Sequence, residues 1–355
     1  MHRIRTLTVA LAICFFCAGA FSAPAKPAKE KSAGDVAAEE FFKLRDAKEA
    51  VPSPARFAEV IKSGFSYLTQ YPTHGRVNNV ISSLATFGTT IKDKKLAALR
   101  ASWSSLLQYE ILRQGGSDKL DDDAKAAFKA LSAAAAGSTV RDAVTRENVE
   151  AFRDKIDRLA EMPGAARFLS EQEKSYLEVV EFMNPAAAEK QGQKLLAHPD
   201  KKVASMAQDE LNLMKLRHQP LELKFSALDG REVDTAQLRG KVLYFVFWST
   251  TDEVSLKDFA ELKDFYKPYQ KLGVEIITVS HDTDKAALAK FVTDKRYAWP
   301  VICDGEGAKG EFSASLNVRK LPASALFNQK GMLVATGVRS SKLEAEVIKL
   351  GIKQK

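Results

Sequence analysis

The positions of the three cysteines decide whether dithiol redox chemistry is open to this chain. Cys14 and Cys17 have the Cys-x-x-Cys spacing with which paired thiols exchange with a substrate disulfide. However, this pair lies inside an apolar run that follows Arg3 and Arg5. Basic residues, an apolar run and then small residues are the layout of a secretory signal peptide. We therefore assign the pair to a signal that is removed, not to a redox site.

The signal peptide is expected to cover residues 1–20, which end in Ala18-Gly19-Ala20. Residues 21–34 are rich in Ala, Pro and Lys and are typical of a flexible linker. An uncleaved signal would instead tether the protein to a membrane, although the apolar run is short beside the roughly 20 residues that span a bilayer. In either case we expect an exported protein, periplasmic or in the cell envelope.

Removal of the signal leaves Cys303 as the only thiol, so no intrachain disulfide can form. Cys303 follows the predicted strand 299–302, and no catalytic motif surrounds it. We favour a buried, inert cysteine, since free cysteines often serve as small apolar core residues. The alternative is a single redox thiol that forms mixed disulfides.

Other residue types offer little further chemistry. His281-Asp282 follows a predicted strand, where a base or ligand could project. No His or Cys pair has zinc-ligand spacing, and the acidic clusters at 121–123 and 304–306 lack the alternation of a calcium loop. We expect no metal and no cofactor. Net charge is +8, but Lys and Arg are scattered among acids, so we expect no nucleic-acid partner.

Residues 35–217 have apolar residues at spacings of three and four, as in Phe57–Leu68 and Leu96–Ile111. This spacing predicts an all-α domain. Turn residues predict breaks between helices, including one at Gly137-Ser138. The predicted helices 186–196 and 201–216 flank a Pro-Asp turn and resemble one α-solenoid repeat, which remains an alternative for this region.

The pattern changes in residues 218–355. Alternating segments flank Asp229-Gly230, which predicts a hairpin. Val242–Trp248 is continuously apolar and aromatic, as expected of a strand that is buried on both faces. Strands and helices then alternate and close on a hairpin at Asn328–Gly331. The sequence therefore predicts an α/β sandwich after the helical domain.

Four motifs in this domain resemble the redoxin or TlpA-like (AhpC/TSA-type) branch of the thioredoxin superfamily. They are Leu228–Val233 with Leu238–Val242, then Phe247–Thr250, Val318–Pro322 and Phe327–Gly331, in the family's order and spacing. The resemblance spans nearly all of 221–350 and implies a thioredoxin-like fold. The helical domain lies outside it.

In that family the buried strand is followed by Phe-Trp-Ala-Thr-Trp-Cys-x-x-Cys. The resemblance places the attacking cysteine at Asp252, the resolving cysteine at Ser255 and the second tryptophan at Thr251. Thiol–disulfide exchange needs a thiolate and then a second thiol, and neither a carboxylate nor a hydroxyl replaces them. The resemblance therefore implies a degenerate redox site that should not run dithiol–disulfide chemistry.

A negative charge at Asp252 would still suit the start of the following helix. Thr250 and Glu253 have the spacing of a capping box, with Thr250 as the N-cap. An acid in the first turn stabilises a helix by about 0.3–1 kcal/mol. We favour this structural role for Asp252, and a new catalytic carboxylate is the alternative.

The resemblance also implies that the Leu321-Pro322 bond is cis and faces the start of that helix. A groove formed by Trp248, Thr251, Leu321 and Pro322 would then hold an extended peptide by backbone pairing, or would merely keep an inherited shape. We expect a non-redox module that binds an extracytoplasmic protein or peptide. The alternatives are oxidoreductase or antioxidant activity through Cys303, and a purely structural role in an envelope complex.

Overall fold

The computed structural model describes residues 31–46, 54–87 and 97–353. The predicted signal peptide, and the predicted linker up to residue 30, lie outside these residues. Among the described residues, no helix is both long enough and apolar enough to cross a membrane.

The first part of the described chain is helical, as predicted. Its helices are α1 (Ala33–Asp46), α2 (Pro54–Gln70), α3 (Val77–Thr86), α4 (Ala97–Gly115), α5 (Asp122–Asp142), α6 (Arg146–Ala160), α7 (Ala166–Met183), α8 (Pro185–Leu195) and α9 (Lys201–His218). The helices bury apolar side chains, and α6 does so along one stripe with Phe152, Ile156 and Leu159. The buried side chains of these helices meet in a single hydrophobic core.

The break predicted at Gly137-Ser138 is wrong, because α5 continues through it to Asp142. A Cβ atom on Gly137 would lie 2.8 Å from Cζ of Phe152 in α6. The glycine therefore allows two helices to approach closely and does not mark a turn. The start of α1 at Ala33 also precedes the predicted domain start by two residues.

The second part is a five-stranded sheet with helices on both faces. Its elements are β1 (Lys224–Ser226), β2 (Glu232–Asp234), β3 (Val242–Trp248), α10 (Glu253–Gln270), β4 (Val274–Ser280), α11 (Lys285–Lys295), β5 (Val301–Ile302), α12 (Glu311–Ser315), β6 (Ala323–Phe327), β7 (Leu333–Thr336) and α13 (Ser340–Lys349). The strand order is β5-β4-β3-β6-β7, and β1 and β2 form a separate hairpin. The predicted α/β sandwich is therefore confirmed.

Strand β3 is central and buried along its whole length. One face, which includes Tyr244 and Trp248, packs against α10, α11 and α13. The other face, which includes Phe245 and Phe247, packs near α12 and against residues of α9. Burial on both faces explains the uninterrupted apolar run in the sequence.

Helix α9 contacts both parts of the chain. Val203 and Met206 belong to the helical core, whereas Leu213 and Leu216 pack against the sheet. Arg319, in the loop before β6, adds a hydrogen bond to the Ser205 hydroxyl at 3.1 Å. The predicted boundary at 217/218 coincides with the end of α9, and the division into two domains stays a prediction.

Candidate functional site

The candidate site forms where β3 ends. Strand β4 is parallel to β3, with Trp248 opposite Ser280. The carboxyl ends of the two strands therefore lie at the same edge of the sheet, where α/β proteins commonly place their sites. This register brings the loop that leads to Asp252 beside Asp282, although about thirty residues separate them in sequence.

Asp252 is the N-cap of α10. Its carboxylate accepts a hydrogen bond from the Ser255 amide at 3.2 Å and another from the Ser255 hydroxyl. Asp252 is half-buried, and Ser255 is fully buried. The carboxylate thus satisfies a backbone donor that the first helical turn would otherwise leave unpaired.

The predicted capping box is wrong in its register. The N-cap is Asp252, two residues after Thr250. The Thr250 hydroxyl instead donates to Asp282 at 2.7 Å. Sequence reasoning missed this partner because Asp282 reaches Thr250 only through the pairing of β3 with β4.

Asp282 organises the loop that precedes α10. Its carboxylate accepts hydrogen bonds from the Thr250 amide at 2.9 Å, the Ser249 hydroxyl at 3.1 Å and the Ser280 hydroxyl at 2.6 Å. Burial alone would raise the pKa of Asp282, but the hydrogen bonds from Ser280, Thr250 and Ser249 outweigh it and lower the pKa below its usual value. The position singled out in the sequence as a possible base is therefore an anchor for the loop.

His281 is also held in place. Its backbone amide donates to the Trp248 carbonyl at 2.8 Å, and its Nε2 lies 2.7 Å from the Ser313 hydroxyl. Burial lowers the pKa of His281, which favours the neutral ring. The side chain therefore joins the end of β4 to α12.

Cys303 reaches the same edge because β5 is parallel to β4 and ends one residue before it. Its side chain is buried, and Sγ donates to the Asp282 carbonyl at 3.1 Å. Burial raises the pKa of the Cys303 thiol. The thiolate, which is the nucleophile in redox chemistry, is therefore disfavoured at this position.

The Leu321-Pro322 peptide bond is cis. Both residues are half-buried and immediately precede β6, in which Ala323 pairs with Phe247. This antiparallel register brings Pro322 beside the end of β3. The loop before α10, in which Thr251 is exposed, leaves the sheet at the same edge.

Trp248 does not contribute a surface to this groove. Its side chain is fully buried, and the ring packs on Phe259 with centroids 4.7 Å apart. The predicted direct contact between Trp248 and a peptide is therefore wrong. Trp248 lies on the face of β3 that packs against α10, so its side chain points into the core.

No metal site accompanies these residues. Within 31–46, 54–87 and 97–353, no group of three or more His, Cys, Asp or Glu side chains is placed to hold a metal ion.

Residues 217–336 match the AhpC/TSA family. The thiol-disulfide oxidoreductase ResA of Bacillus cereus is 30% identical over 107 residues, which are 30% of this chain and 60% of the relative. ResA of Halalkalibacterium halodurans is 25% identical over 142 residues, which are 39% of this chain and 78% of the relative. The match thus spans less than two thirds of the length of the first of these relatives.

Part of the chain is also similar to solved structures. A thiol-disulfide oxidoreductase from Bacteroides fragilis NCTC 9343 is 21% identical, with a TM-score of 0.34. The alignment covers 37% of this chain and 97% of that one. The family match and the redoxin motifs agree with the observed sheet, and residues 217–336 therefore form a redoxin-type domain of the thioredoxin superfamily.

Proposed function

We propose that this redoxin-type domain is a redox-inactive module that binds an extended segment of an extracytoplasmic protein. Asp252 and Ser255 would stand at the positions of the two cysteines in its redox-active relatives. The observation that carries the proposal is the closed pair at the start of α10, in which the Asp252 carboxylate accepts from both the amide and the hydroxyl of Ser255.

The chemistry of this pair supports a module without redox activity. In a dithiol site, a helix N-terminus favours a thiolate. Here the Asp252 carboxylate caps the N-terminus of α10. Ser255 is fully buried, so its hydroxyl is out of reach of a partner's disulfide. Exchange requires a thiolate and a resolving thiol, and this pair supplies neither.

Cys303 is poorly suited to replace the two thiols of a dithiol site. Its thiol is buried and donates to the Asp282 carbonyl, and burial raises its pKa. These features keep the sulfur protonated and shielded. They favour the binding function over the alternative of oxidoreductase activity through a single thiol.

The surface beside the closed pair supports binding of an extended peptide. Thr251 is exposed, and Leu321 and Pro322 are half-buried at the same edge of the sheet. A peptide that lies across this edge would use backbone hydrogen bonds for affinity and side-chain contacts for selectivity. Asp282 holds the loop that carries Thr251, so the surface needs little reorganisation when it binds.

Export is a further part of the proposal, beside the loss of redox activity and the binding of a peptide. Its support is the signal-like segment at residues 1–20. N-terminal sequencing of the mature protein from a periplasmic extract should find the chain beginning after residue 20. A full-length N-terminus in the membrane fraction would support the tethered alternative instead.

Insulin reduction tests the redox half of the proposal. The wild-type protein should not exceed the uncatalysed rate, whereas the Asp252→Cys/Ser255→Cys double variant should gain activity if these positions are the cysteine positions. The matched control is Cys303→Ser, which should behave as the wild type does. Wild-type turnover that disappears in Cys303→Ser would contradict the proposal and support activity through the single thiol.

A peptide array that is overlaid with the purified protein tests the binding half. Thr251→Trp should abolish most of the signal, because a bulky ring would fill the edge beside Pro322. The matched control is Thr336→Trp, at an exposed position of β7. Equal binding by the two variants, or no binding by the wild type, would favour a purely structural role.

A further inference from the structure

A separate pocket opens between α10 and α11, and neither Asp252 nor Ser255 lines it. Its volume is about 300 Å³. It is lined by Leu256, Phe259, Lys263, Phe291, Lys295 and Tyr297. None of the residues at the proposed peptide edge lines it, so the two sites can be tested independently.

The walls of this α10–α11 pocket are aromatic. The rings of Phe259 and Tyr297 lie 5.2 Å apart at 83°, and those of Phe291 and Tyr297 lie 6.4 Å apart at 51°. Rings set at such angles offer both faces and edges to a further ring. Such aromatic pairs are favourable beyond the apolar area that they bury. The walls therefore suit a flat, aromatic ligand.

Two tryptophans lie behind these walls. The Trp248 ring is 4.7 Å from Phe259, 6.0 Å from Phe291 and 6.1 Å from Tyr297. Trp299 stacks on Tyr297 at 5.1 Å. Both indole nitrogens are buried and have no hydrogen-bond partner in the described part of the chain. The NMR signals of these two indole N–H groups can therefore report on a ligand that enters the pocket.

The mouth of the pocket is positively charged. Nζ of Lys263 lies 5.0 Å from the centre of the Tyr297 ring, and Nζ of Lys295 lies 5.6 Å from that of Phe291. Lys263 also donates to the Lys295 carbonyl at 2.6 Å, which holds its ammonium group at the mouth. Within the described residues, neither lysine forms an ion pair with a carboxylate. Two cations beside an aromatic cavity complement an anionic aromatic molecule.

We propose that this pocket binds a small aromatic carboxylate. The ring would lie against Phe291 and Tyr297, with the buried Phe259 behind them, and the carboxylate would pair with Lys295 at the mouth. Ligand pockets usually measure about 300–1,000 Å³, so this one is large enough for a single ring but not for a nucleotide cofactor. The site does not depend on the proposed peptide edge.

Phenylacetate is a suitable probe, with phenylacetamide as its neutral counterpart. In a titration of the ¹⁵N-labelled protein, phenylacetate should shift the indole signals of Trp248 and Trp299 saturably. Phenylacetamide has the same ring but no charge, so it should bind about three- to fivefold more weakly, which is the ratio expected for one partly exposed ion pair. Equal affinity for the two probes, or no saturation at millimolar concentrations, would overturn the proposal.

Substitutions distinguish binding at a specific site from nonspecific binding. Lys295→Met keeps the apolar stem of the side chain and removes the charge, so affinity for phenylacetate should fall about three- to fivefold while affinity for phenylacetamide stays constant. Lys290→Met, at an exposed position of the same helix, is the matched control. An equal loss in both variants would overturn the assignment of the carboxylate to Lys295. Binding of acidic aromatic peptides without binding of phenylacetate would also overturn it, since the occupant would then be a peptide.

Discussion

At the scale of single residues, two carboxylates define the edge of the sheet. Asp252 closes the first turn of α10, and Asp282 holds the loop that leads to it. Both accept hydrogen bonds from backbone amides. The donor to Asp252 is in the helix that Asp252 caps, whereas the donor to Asp282, which follows β4, is in the loop that follows β3. Their removal should therefore have different consequences.

Asp252→Ala should lower the free energy of unfolding by about 0.5–2 kcal/mol, because it removes an N-cap. Asp252→Asn keeps an oxygen that accepts from the Ser255 amide and should cost less. Urea denaturation followed by circular dichroism measures both. Glu253→Ala, an exposed change in the same turn, is the control. A loss as large in Glu253→Ala as in Asp252→Ala would contradict the capping role.

Asp282→Ala should lower the free energy of unfolding by about 1–3 kcal/mol near neutral pH, because partly buried donors lose their acceptor. The folded pKa of Asp282 lies below the usual 3.8. Its ionised form therefore stabilises the fold above about pH 4, and this stabilisation is lost as pH falls through the folded pKa. The difference between wild type and variant should shrink in the same range.

Urea midpoints at a series of pH values from neutral to acid test this prediction. Asp284→Ala is a useful control for pH, since Asp284 is an exposed cap of the next helix, α11. If the difference between wild type and Asp282→Ala grew towards acid pH, the pKa of Asp282 would have to be raised in the folded state, and its role as a charged anchor would be wrong.

At the scale of elements, close packing decides what local propensity does not. Gly137 lies inside α5, where glycine costs about 0.5–1 kcal/mol relative to alanine. Propensity alone therefore favours an alanine there. The facing ring of Phe152 is fully buried and has little room to move.

Gly137→Ala should therefore destabilise the protein by about 1–3 kcal/mol, because overpacking outweighs the gain in helix propensity. Thermal unfolding measures the effect. Phe152→Leu removes the atoms that a new Cβ would meet, so the loss caused by Gly137→Ala should be smaller in that background. A stabilising effect of Gly137→Ala in the wild-type background would show that the α5–α6 contact is looser than the structure has it.

At the scale of the whole molecule, α9 packs against both the helical core and the sheet. One stripe of this helix belongs to the helical core, and the other, with Leu213 and Leu216, packs on the sheet of the redoxin-type domain. The loop before β6 adds a salt bridge from Arg319 to Asp209. Apolar contacts of this kind couple the unfolding of two regions.

Leu213→Ser/Leu216→Ser should split thermal unfolding into two transitions, because these side chains bury apolar area between the regions and an exposed salt bridge adds only about 0–1 kcal/mol. Differential scanning calorimetry measures the change. Lys215→Ser, on the exposed side of the same helix, should keep the wild-type profile. A single, cooperative transition in the double variant would show that α9 is not what couples the two regions.

The sequence by itself determined the features that depend on neighbouring residues. Apolar spacing located the helices, and the unbroken run Val242–Trp248 identified the central strand. The redoxin motifs identified the domain and pointed to Asp252 and Ser255 at the start of α10. These features are local because periodicity and turn preferences act over a few residues.

Only the tertiary structure decided which distant groups meet. Parallel pairing of β3, β4 and β5 brings Thr250, Asp282 and Cys303 to one edge of the sheet. The Thr250 hydroxyl therefore bonds to Asp282, and Asp252 is the N-cap of α10. The buried Cys303 thiol donates to the Asp282 carbonyl. Trp248 likewise became a core residue because α10 and α11 cover its face of the sheet. Strand pairing and helix packing fix these contacts, and both bring together residues that lie far apart along the chain.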